Sequence, residues 1–528
     1  MNTKFVLILL SLFVIQASSF SAQPNLVVIL ADDMGYSDLG CYGSEIPTPH
    51  LDALAKGGMR FRNFYNCAQC CPTRASLISG MYPHEAGVGD MIDKHSLDVR
   101  TAANSPRYSD RLYPKALTIA ERLRPAGYQT YMTGKWHLGY HDGQRPLQRG
   151  FDRYYGIISG ADSYWKPVSL HEDDTRIPPD KLPEDFYATD AFTAKAIEFI
   201  EQGDRAKPFF LYLAYNAVHS PFHAPDADIA KHQGKYDIGW DVIRERRFAR
   251  QKELGLWPAD MKLPPRDSKS QPWTGSEEQM KLAHRMEIYA AMLTKMDENI
   301  GRLTASLKQS GQLDNTLILF LSDNGAWASG ATYGQEWAET GNTPFRLFKL
   351  FTHQGGICTS FIAHWPVLIP AGAINTRQYA HVKDILPTLL DAAAIKATPQ
   401  AALPMSGRSF LPALLDASHA DNEPLFWERM GNSAMRDGRW KLVRQFNANR
   451  TWVKDHPELS AGYGTRTGKW ELYDIDADPN EIHDLATQHS ERATTLVSQY
   501  EAWEKRVGVV ERSTIVERIA AQGLKNAK

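Results

Sequence analysis

The chain has no excess of either charge. Lys and Arg number 59 against 61 Asp and Glu, a formal net charge of −2 over 528 residues. Without a global basic field, nucleic acid is not an expected partner, nor is an anionic membrane surface. An anionic substrate must be gripped by local charges. Cysteine is scarce as well. Five in so long a chain make no disulfide framework. The cluster Cys67, Cys70 and Cys71 lacks the second CxxC or the HxxxH that would complete a tetrahedral metal site. A redox or metal protein built on that cluster would need partners the sequence does not supply. Only the first two dozen residues are strongly apolar, and the run there is too short for a comfortable membrane span. Internal repeats and low-complexity tracts are missing too. Apolar residues nevertheless make up 43%, enough for a sizeable core, which excludes a disordered chain. The length suits one large α/β domain with a smaller companion.

The N-terminus is the exception to the missing apolar runs. Lys4 precedes an apolar stretch from Phe5 to Ile15, and the small residues Ala17, Ser18, Ser19, Ser21 and Ala22 follow. Charged end, apolar middle and small-residue site read as a signal peptide over 1–22, cleaved somewhere from Ser19 to Ala22. Export to the periplasm or the medium is expected. A buried N-terminal helix is the weaker reading, because a processing site follows at once. No Cys lies near the cleavage region to take a lipid anchor.

Five short apolar runs punctuate the rest: 25–30, 128–132, 208–214, 316–321 and 360–364. Most are continuous rather than alternating, so both faces should be buried, as in a central sheet covered by helices. Helical patterns lie between them, at Lys115 to Leu123 and most clearly at Met280 to Lys308. In the latter, Leu282, Met286, Tyr289, Leu293, Met296, Ile300, Leu303 and Leu307 form one apolar stripe, ended by Gly311. Strands alternating with helices predict an α/β domain over 23–424, with a large, mainly parallel sheet flanked by helices. Residues 225–275 are rich in Pro, Lys, Arg and Asp, and Arg244 to Arg250 is basic. A solvated surface insertion is preferred there over a nucleic-acid patch. Over 425–528 the texture changes. Ser433 to Val443 and Lys469 to Tyr473 read as short strands around an Asp437–Gly438 turn, followed by a helix from about Ser490 to Arg506. A small antiparallel α+β subdomain is expected.

The chemistry collects where the strands end, which in open α/β sheets is where ligands bind. Asp32 and Asp33 follow the first run, Lys135 and His137 the second, His219 the third, and Asp323 and Asn324 the fourth. A lone Asp after a strand is usually a turn former; four charged ends are harder to dismiss. Asp32, Asp33, Asp323 and Asn324 offer only oxygen, which suits Ca²⁺ or Mg²⁺ and not zinc, with calcium the better fit to several anionic ligands. Lys135, His137 and His219 add positive charge and acid/base groups. A metal beside such cations implies an anion between them, phosphoryl or sulfuryl. Cys70-Cys71-Pro72-Thr73-Arg74 opens a helix ending at Gly80, whose N-terminus and Arg74 could hold that anion or a charged nucleophile.

Cys70 to Arg74, continuing through Leu77 and Gly80, resembles the C-x-P-x-R…L-x-[TS]-G signature of type I sulfatases. Asn25 to Asp33, Thr133 to Gly139, His219-Ser-Pro, Leu321 to Gly325, Arg346 to Gly356, Phe361 to Pro366 and Leu472 to Asp474 resemble further sulfatase segments in the expected order. The match spans nearly all of the mature chain and looks closest to the bacterial arylsulfatase branch. The resemblance implies an alkaline-phosphatase-like fold and hydrolysis of sulfate monoesters: aryl sulfates in assay, sulfated carbohydrate in nature. It implies that a formylglycine-generating enzyme oxidises Cys70 to 3-oxoalanine before export. The aldehyde would hydrate, one oxygen would attack sulfur as the alcohol leaves, and loss of the second hydroxyl proton would expel sulfate and regenerate the aldehyde. It also implies that Asp32, Asp33, Asp323, Asn324 and the modified Cys70 bind one calcium ion. Arg74 and Lys135 would hold the hydroxyls and sulfate, and His137 would accept the second hydroxyl proton. His219 and Lys349 would contact sulfate and the leaving oxygen, one of them as general acid. Lys349 comes from the resemblance alone; by spacing it reads as a solvated charge.

Two positions depart from the family pattern. Gln354 stands where an acidic residue is usual, and Cys358 where Arg is. His223, His353 and His364 read as packing or rim residues. Trp165, Trp327 and Trp337 read as core or pocket wall, and the residues after 159, notably Asp162, with those around 327–353, as pocket lining. Two other functions fit the same scaffold: a phosphonate monoester or phosphodiester hydrolase, and a non-catalytic binder of sulfated glycans. The second should have lost polar site residues, and none is lost.

Overall fold

The structure, a computed structural model, describes residues 23–266, 270–330, 332–396, 402–446 and 468–522; the expected signal peptide lies outside the described residues. Ten strands form one sheet: β1 (Asn25–Ala31), β2 (Met59–Tyr65), β3 (Gln129–Gly134), β4 (Arg153–Ile157), β5 (Leu170–Glu172), β6 (Thr175–Arg176), β7 (Phe209–Ala214), β8 (Thr316–Ser322), β9 (Cys358–His364) and β10 (Ala373–His381). Their spatial order is β10-β2-β9-β8-β1-β7-β3-β4-β5-β6. The five central strands from β8 to β4 run parallel, while β9 is antiparallel to both β8 and β2.

All five expected runs are strands of this sheet. Their continuous apolar character has the predicted cause. Along β1, Val27, Ile29 and Ala31 join the core on one face, and Leu26, Val28 and Leu30 the core on the other. The Glu277–Gln309 helix covers the first face, and its Met286, Tyr289, Leu293, Met296, Ile300, Leu303 and Leu307 are buried. Ser276 caps it by accepting the Gln279 amide N–H. The Lys115–Leu123 pattern yields a shorter helix, Ile119–Leu123. Thr118 and Glu121 close a capping box there, so Lys115 to Leu117 stay outside.

A second, four-stranded antiparallel sheet follows, ordered β11-β12-β13-β14: β11 (Leu425–Arg429), β12 (Asn432–Asp437), β13 (Trp440–Arg444) and β14 (Trp470–Asp474). The turn at Asp437–Gly438 joins β12 to β13 as expected. The Ser490–Val507 helix buries Leu496, Tyr500, Trp503 and Val507 against Met435, Leu442 and Leu472.

The basic run in 225–275 is solvated as expected at Arg246 and Arg250, but not at Arg247. It belongs to the Trp240–Glu253 helix, and Arg247 is wholly buried. Its guanidinium bonds Asp38 at 2.5 Å and Glu45 at 2.8 Å, and the neighbouring Gln251 donates to the carbonyls of Tyr42 and Thr343. The hydrophobic pattern hides this, because a paired buried charge reads like a solvated one.

Candidate active site

The register of the parallel strands brings their ends level. Leu30 pairs with Ala214, Ala214 with Gly134, and Ala31 with Ser322. The residues just beyond, Asp32, Asp33, Lys135, His137, His219, Asp323 and Asn324, therefore share one edge. Gly134 is needed at the turn off β3: its φ is 101°, and a Cβ would lie 1.9 Å from the Ala214 carbonyl oxygen. Asp33 and His137 adopt left-handed backbone, φ 61° and 54°, as do Leu347 and Leu350 on the loop that carries Lys349. Each such non-glycine residue costs on the order of 1–3 kcal/mol, and they gather at this edge.

The charges there are buried and interlocked. Arg74 donates to Asp323 Oδ2 at 2.8 and 3.2 Å, to Asp32 Oδ2 at 3.2 Å and to the Lys135 carbonyl at 3.0 Å. The resemblance assigns Arg74 to the hydroxyls and sulfate; its contacts in the structure are to the carboxylates of Asp32 and Asp323 and to the Lys135 carbonyl. Lys135 Nζ lies 2.5 Å from Asp32 Oδ2. Lys349, expected by spacing to be a solvated charge, is 4% exposed and bonds Asp33 Oδ1 at 2.6 Å. His219 Nε2 approaches Asp33 Oδ2 at 3.5 Å, and its Nδ1 donates to the Ser220 carbonyl.

These contacts fix the charge states. Burial alone would raise the Asp32 pKa, but Lys135, His219 and Arg74 hold it well below the carboxylate range. Burial and the Asp32 charge push Asp323 up to about 6, against Arg74 and Lys135. Burial disfavours the Lys349 ammonium, yet Asp33 outweighs it and raises its pKa. His219 is lowered, chiefly by burial.

Cys70 opens the Cys70–Ser79 helix; Gln69 is the N-cap, and Gly80 ends the helix with φ 69°. Pro72, the third residue, sits where a missing N–H costs nothing. Burial raises the Cys70 pKa despite Lys135 and Lys349. As a neutral thiol it would be a poor nucleophile. Cys67 does not join it; its sulfur lies 3.6 Å from His381 Nε2. The Cys70 sulfur and an oxygen each from Asp32 and Asp323 lie within 4.8 Å of one another. Asp32 Oδ1, Asp33 Oδ2 and Asn324 Oδ1 are buried without a hydrogen-bond partner. Three orphaned hard oxygens on one edge, two of them carboxylate, fit a divalent cation.

A cleft of about 800 Å³ opens onto this edge. Cys70, His137, His219 and Lys349 line it, with Ser159, Gly160, Ala161, Trp327 and Leu350. Of the lining expected after 159 and around 327–353, Gly160, Ala161, Trp327, Lys349 and Leu350 are present. Asp162 is not part of it: its carboxylate accepts the amides of Ser163, Val168 and Ser169, closing its own loop. Trp327 is wall, with the Lys349 ammonium 5.3 Å above its ring; Trp337 is core and Trp165 packs on Tyr187. A second wall went unread. Met91, Ile92, Asp93, Lys94, Arg100 and Tyr140 line the cleft from outside the sheet. Their only sequence signal is proximity to the motif helix. Gln354, the departure from the family's acid, stays off the cleft: it accepts from Lys441 Nζ, and its amide donates to Glu481.

Comparison with known proteins agrees with this geometry. A family model described as Sulfatase matches residues 24–395. The chain is 32% identical to an uncharacterized sulfatase of Schizosaccharomyces pombe, over 93% of its own length and 95% of the relative's. It is 35% identical to an arylsulfatase of Klebsiella aerogenes, over 73% and 91%. Among solved structures, that of Ps i-CgsB in complex with k-i-k-neocarrahexaose matches with a TM-score of 0.70 at 26% identity, covering 95% of this chain and 98% of that one. Fold and site thus define an enzyme that hydrolyses sulfate esters on an alkaline-phosphatase-like scaffold. The chain belongs to the type I sulfatase family.

Proposed function

We propose that the chain is an exported, calcium-dependent sulfatase whose nucleophile derives from Cys70 and whose natural substrate is a sulfated saccharide. The observation that carries the reading is the set of orphaned oxygens of Asp32, Asp33 and Asn324 beside Cys70, at the N-terminus of a helix. Asp32, Asp33, Asp323, Asn324 and residue 70 would hold the ion, which when bound lowers the pKa of an attacking hydroxyl and offsets sulfate charge. Oxidation of Cys70 by a formylglycine-generating enzyme supplies an aldehyde whose hydrate offers one hydroxyl to attack sulfur and a second through which sulfate is released.

The chain's own residues do the rest. Arg74 and Lys135 keep Asp32 ionised and aimed, and Lys135 and Lys349 supply positive charge to the sulfate. His219, 17% exposed at the side chain, protonates the leaving oxygen. His137 takes a proton from a hydroxyl of residue 70. Trp327 offers a ring face to a sugar. The complex of Ps i-CgsB with k-i-k-neocarrahexaose supports a saccharide substrate here. The leader-like residues 1–22 support export to the periplasm or medium.

The test is turnover and metal content in one preparation, co-produced with a formylglycine-generating enzyme. Hydrolysis of an aryl sulfate and of members of a sulfated-saccharide panel, with about one calcium per chain, is expected. Preference for an aryl phosphodiester would make the chain a phosphodiester hydrolase. Stoichiometric zinc without calcium would contradict the metal assignment.

A further inference from the structure

Asp93 has no place in the machinery just described, yet it touches it. Its carboxylate oxygens lie 3.2 and 3.3 Å from His137 Nε2, and the Tyr140 hydroxyl donates to the same carboxylate. The His137 ring is 1% exposed, and its other nitrogen, Nδ1, is buried without a hydrogen-bond partner. An ionised carboxylate only accepts, so Nε2 must carry a hydrogen; in the neutral ring Nδ1 is then a bare lone pair. The loop carrying Asp93 is tied at its backbone: Arg100 Nη1 donates to the carbonyls of Asp93 at 2.7 Å and Met91 at 2.9 Å. The aim of the carboxylate is therefore set by contacts independent of His137.

We propose that Asp93 is a positioning residue of the sulfatase reaction: it holds His137 in the Nε2–H tautomer and leaves Nδ1 free to accept a proton. This rests on the reading of residue 70 as the hydroxyl-bearing nucleophile. In the transfer, the O–H bond at residue 70 breaks and an N–H bond forms at Nδ1. The imidazolium that results faces the Asp93 charge, as in other base–orienter pairs. The ring's surroundings favour its charged form, so the accepting form with a bare Nδ1 grows as pH rises towards 9. Burial would raise the Asp93 pKa, but His137 and Tyr140 hold it well below the usual range.

The test uses the full chain with selectively ¹⁵N-labelled histidine, Cys70 left unmodified, and His137 signals assigned with His137→Gln. On the alkaline side of its titration, wild-type His137 should show protonated Nε2 and bare Nδ1. Asp93→Asn should lose that preference, and Asp93→Glu should restore it. In matured enzyme, Asp93→Asn should lower kcat by about 10²-fold with KM little changed, and Asp93→Glu should recover part of the loss. A wild-type ring protonated at Nδ1, or a tautomer indifferent to Asp93→Asn, overturns the proposal. An Nε2–H ring in matured enzyme that turns over no sulfate ester overturns the functional reading and upholds the geometry.

Discussion

The two walls of the cleft are built on different principles. One is the edge of the sheet, where Asp32, Asp33, Lys135, Asp323 and Asn324 project from strand ends and are at most 3% exposed. Each charge there answers to another, so the geometry is over-determined. The other wall, Met91 to Lys94 with Arg100, lies outside the sheet and is held from far along the chain. Arg429 of β11 and Arg512 both bind Asp90, at 2.7 and 3.2 Å. Ile515 and Ile519 pack on Val99, Ala102, Ala103 and Tyr108. The first wall can carry chemistry because it cannot shift. The second is anchored apart from the strand ends, by contacts to the C-terminal part of the chain.

Breaking the first wall should have the largest effect. Asp323→Ala removes a proposed ion ligand and the 2.8 Å partner of wholly buried Arg74. Bound metal should vanish, activity should fall by roughly 10³-fold or more, and stability by about 3–5 kcal/mol. Metal analysis and thermal unfolding check this; retained calcium would contradict the ligand assignment. His219→Ala should separate substrates. An activated nitrophenolate leaves with little help and a sugar alkoxide does not, so the loss on a sulfated sugar should reach ~10²–10⁴-fold and be far smaller on the aryl sulfate. Equal losses would make His219 a sulfate ligand and move the acid role to Lys349.

Perturbing the second wall should change binding and spare the ion. Ile515 is 1% exposed, and Ile515→Ala costs about 2–5 kcal/mol of packing under the Leu97–Ala103 helix. KM for a saccharide should rise while calcium content stays put. A parallel loss of metal would mean the walls are not separable. The smallest effect is on stability against pH. His137 is raised from 6.5 to about 9, so its pairing with Asp93 stabilises the fold fully below pH 6.5 and the gain is lost as pH rises through about 9. Asp93→Asn should therefore lower Tm more in mild acid than above pH 9.

The same contrast explains what the sequence disclosed. Strand ends announce themselves: a continuous apolar run stops and Asp32-Asp33 or Asp323-Asn324 begins. Lys349 was legible only by resemblance, because nothing local marks a lysine folded onto Asp33. That fold depends on Gly355 and Gly356, where Cβ atoms would lie about 2 Å from the carbonyl oxygens of Leu347 and Phe351. The second wall was invisible because its contacts span more than 300 residues, as between Asp90 and Arg429. β2 was missed for a related reason: Arg60, Arg62 and Asn63 interrupt its apolar pattern, although Arg60 and Asn63 are buried.

The central claim is that the first wall surrounds a modified Cys70. Peptide mass mapping of fully active enzyme tests it most directly: residue 70 should be found as the aldehyde and Cys71 as an unmodified thiol. Full activity with thiols at both positions would contradict it.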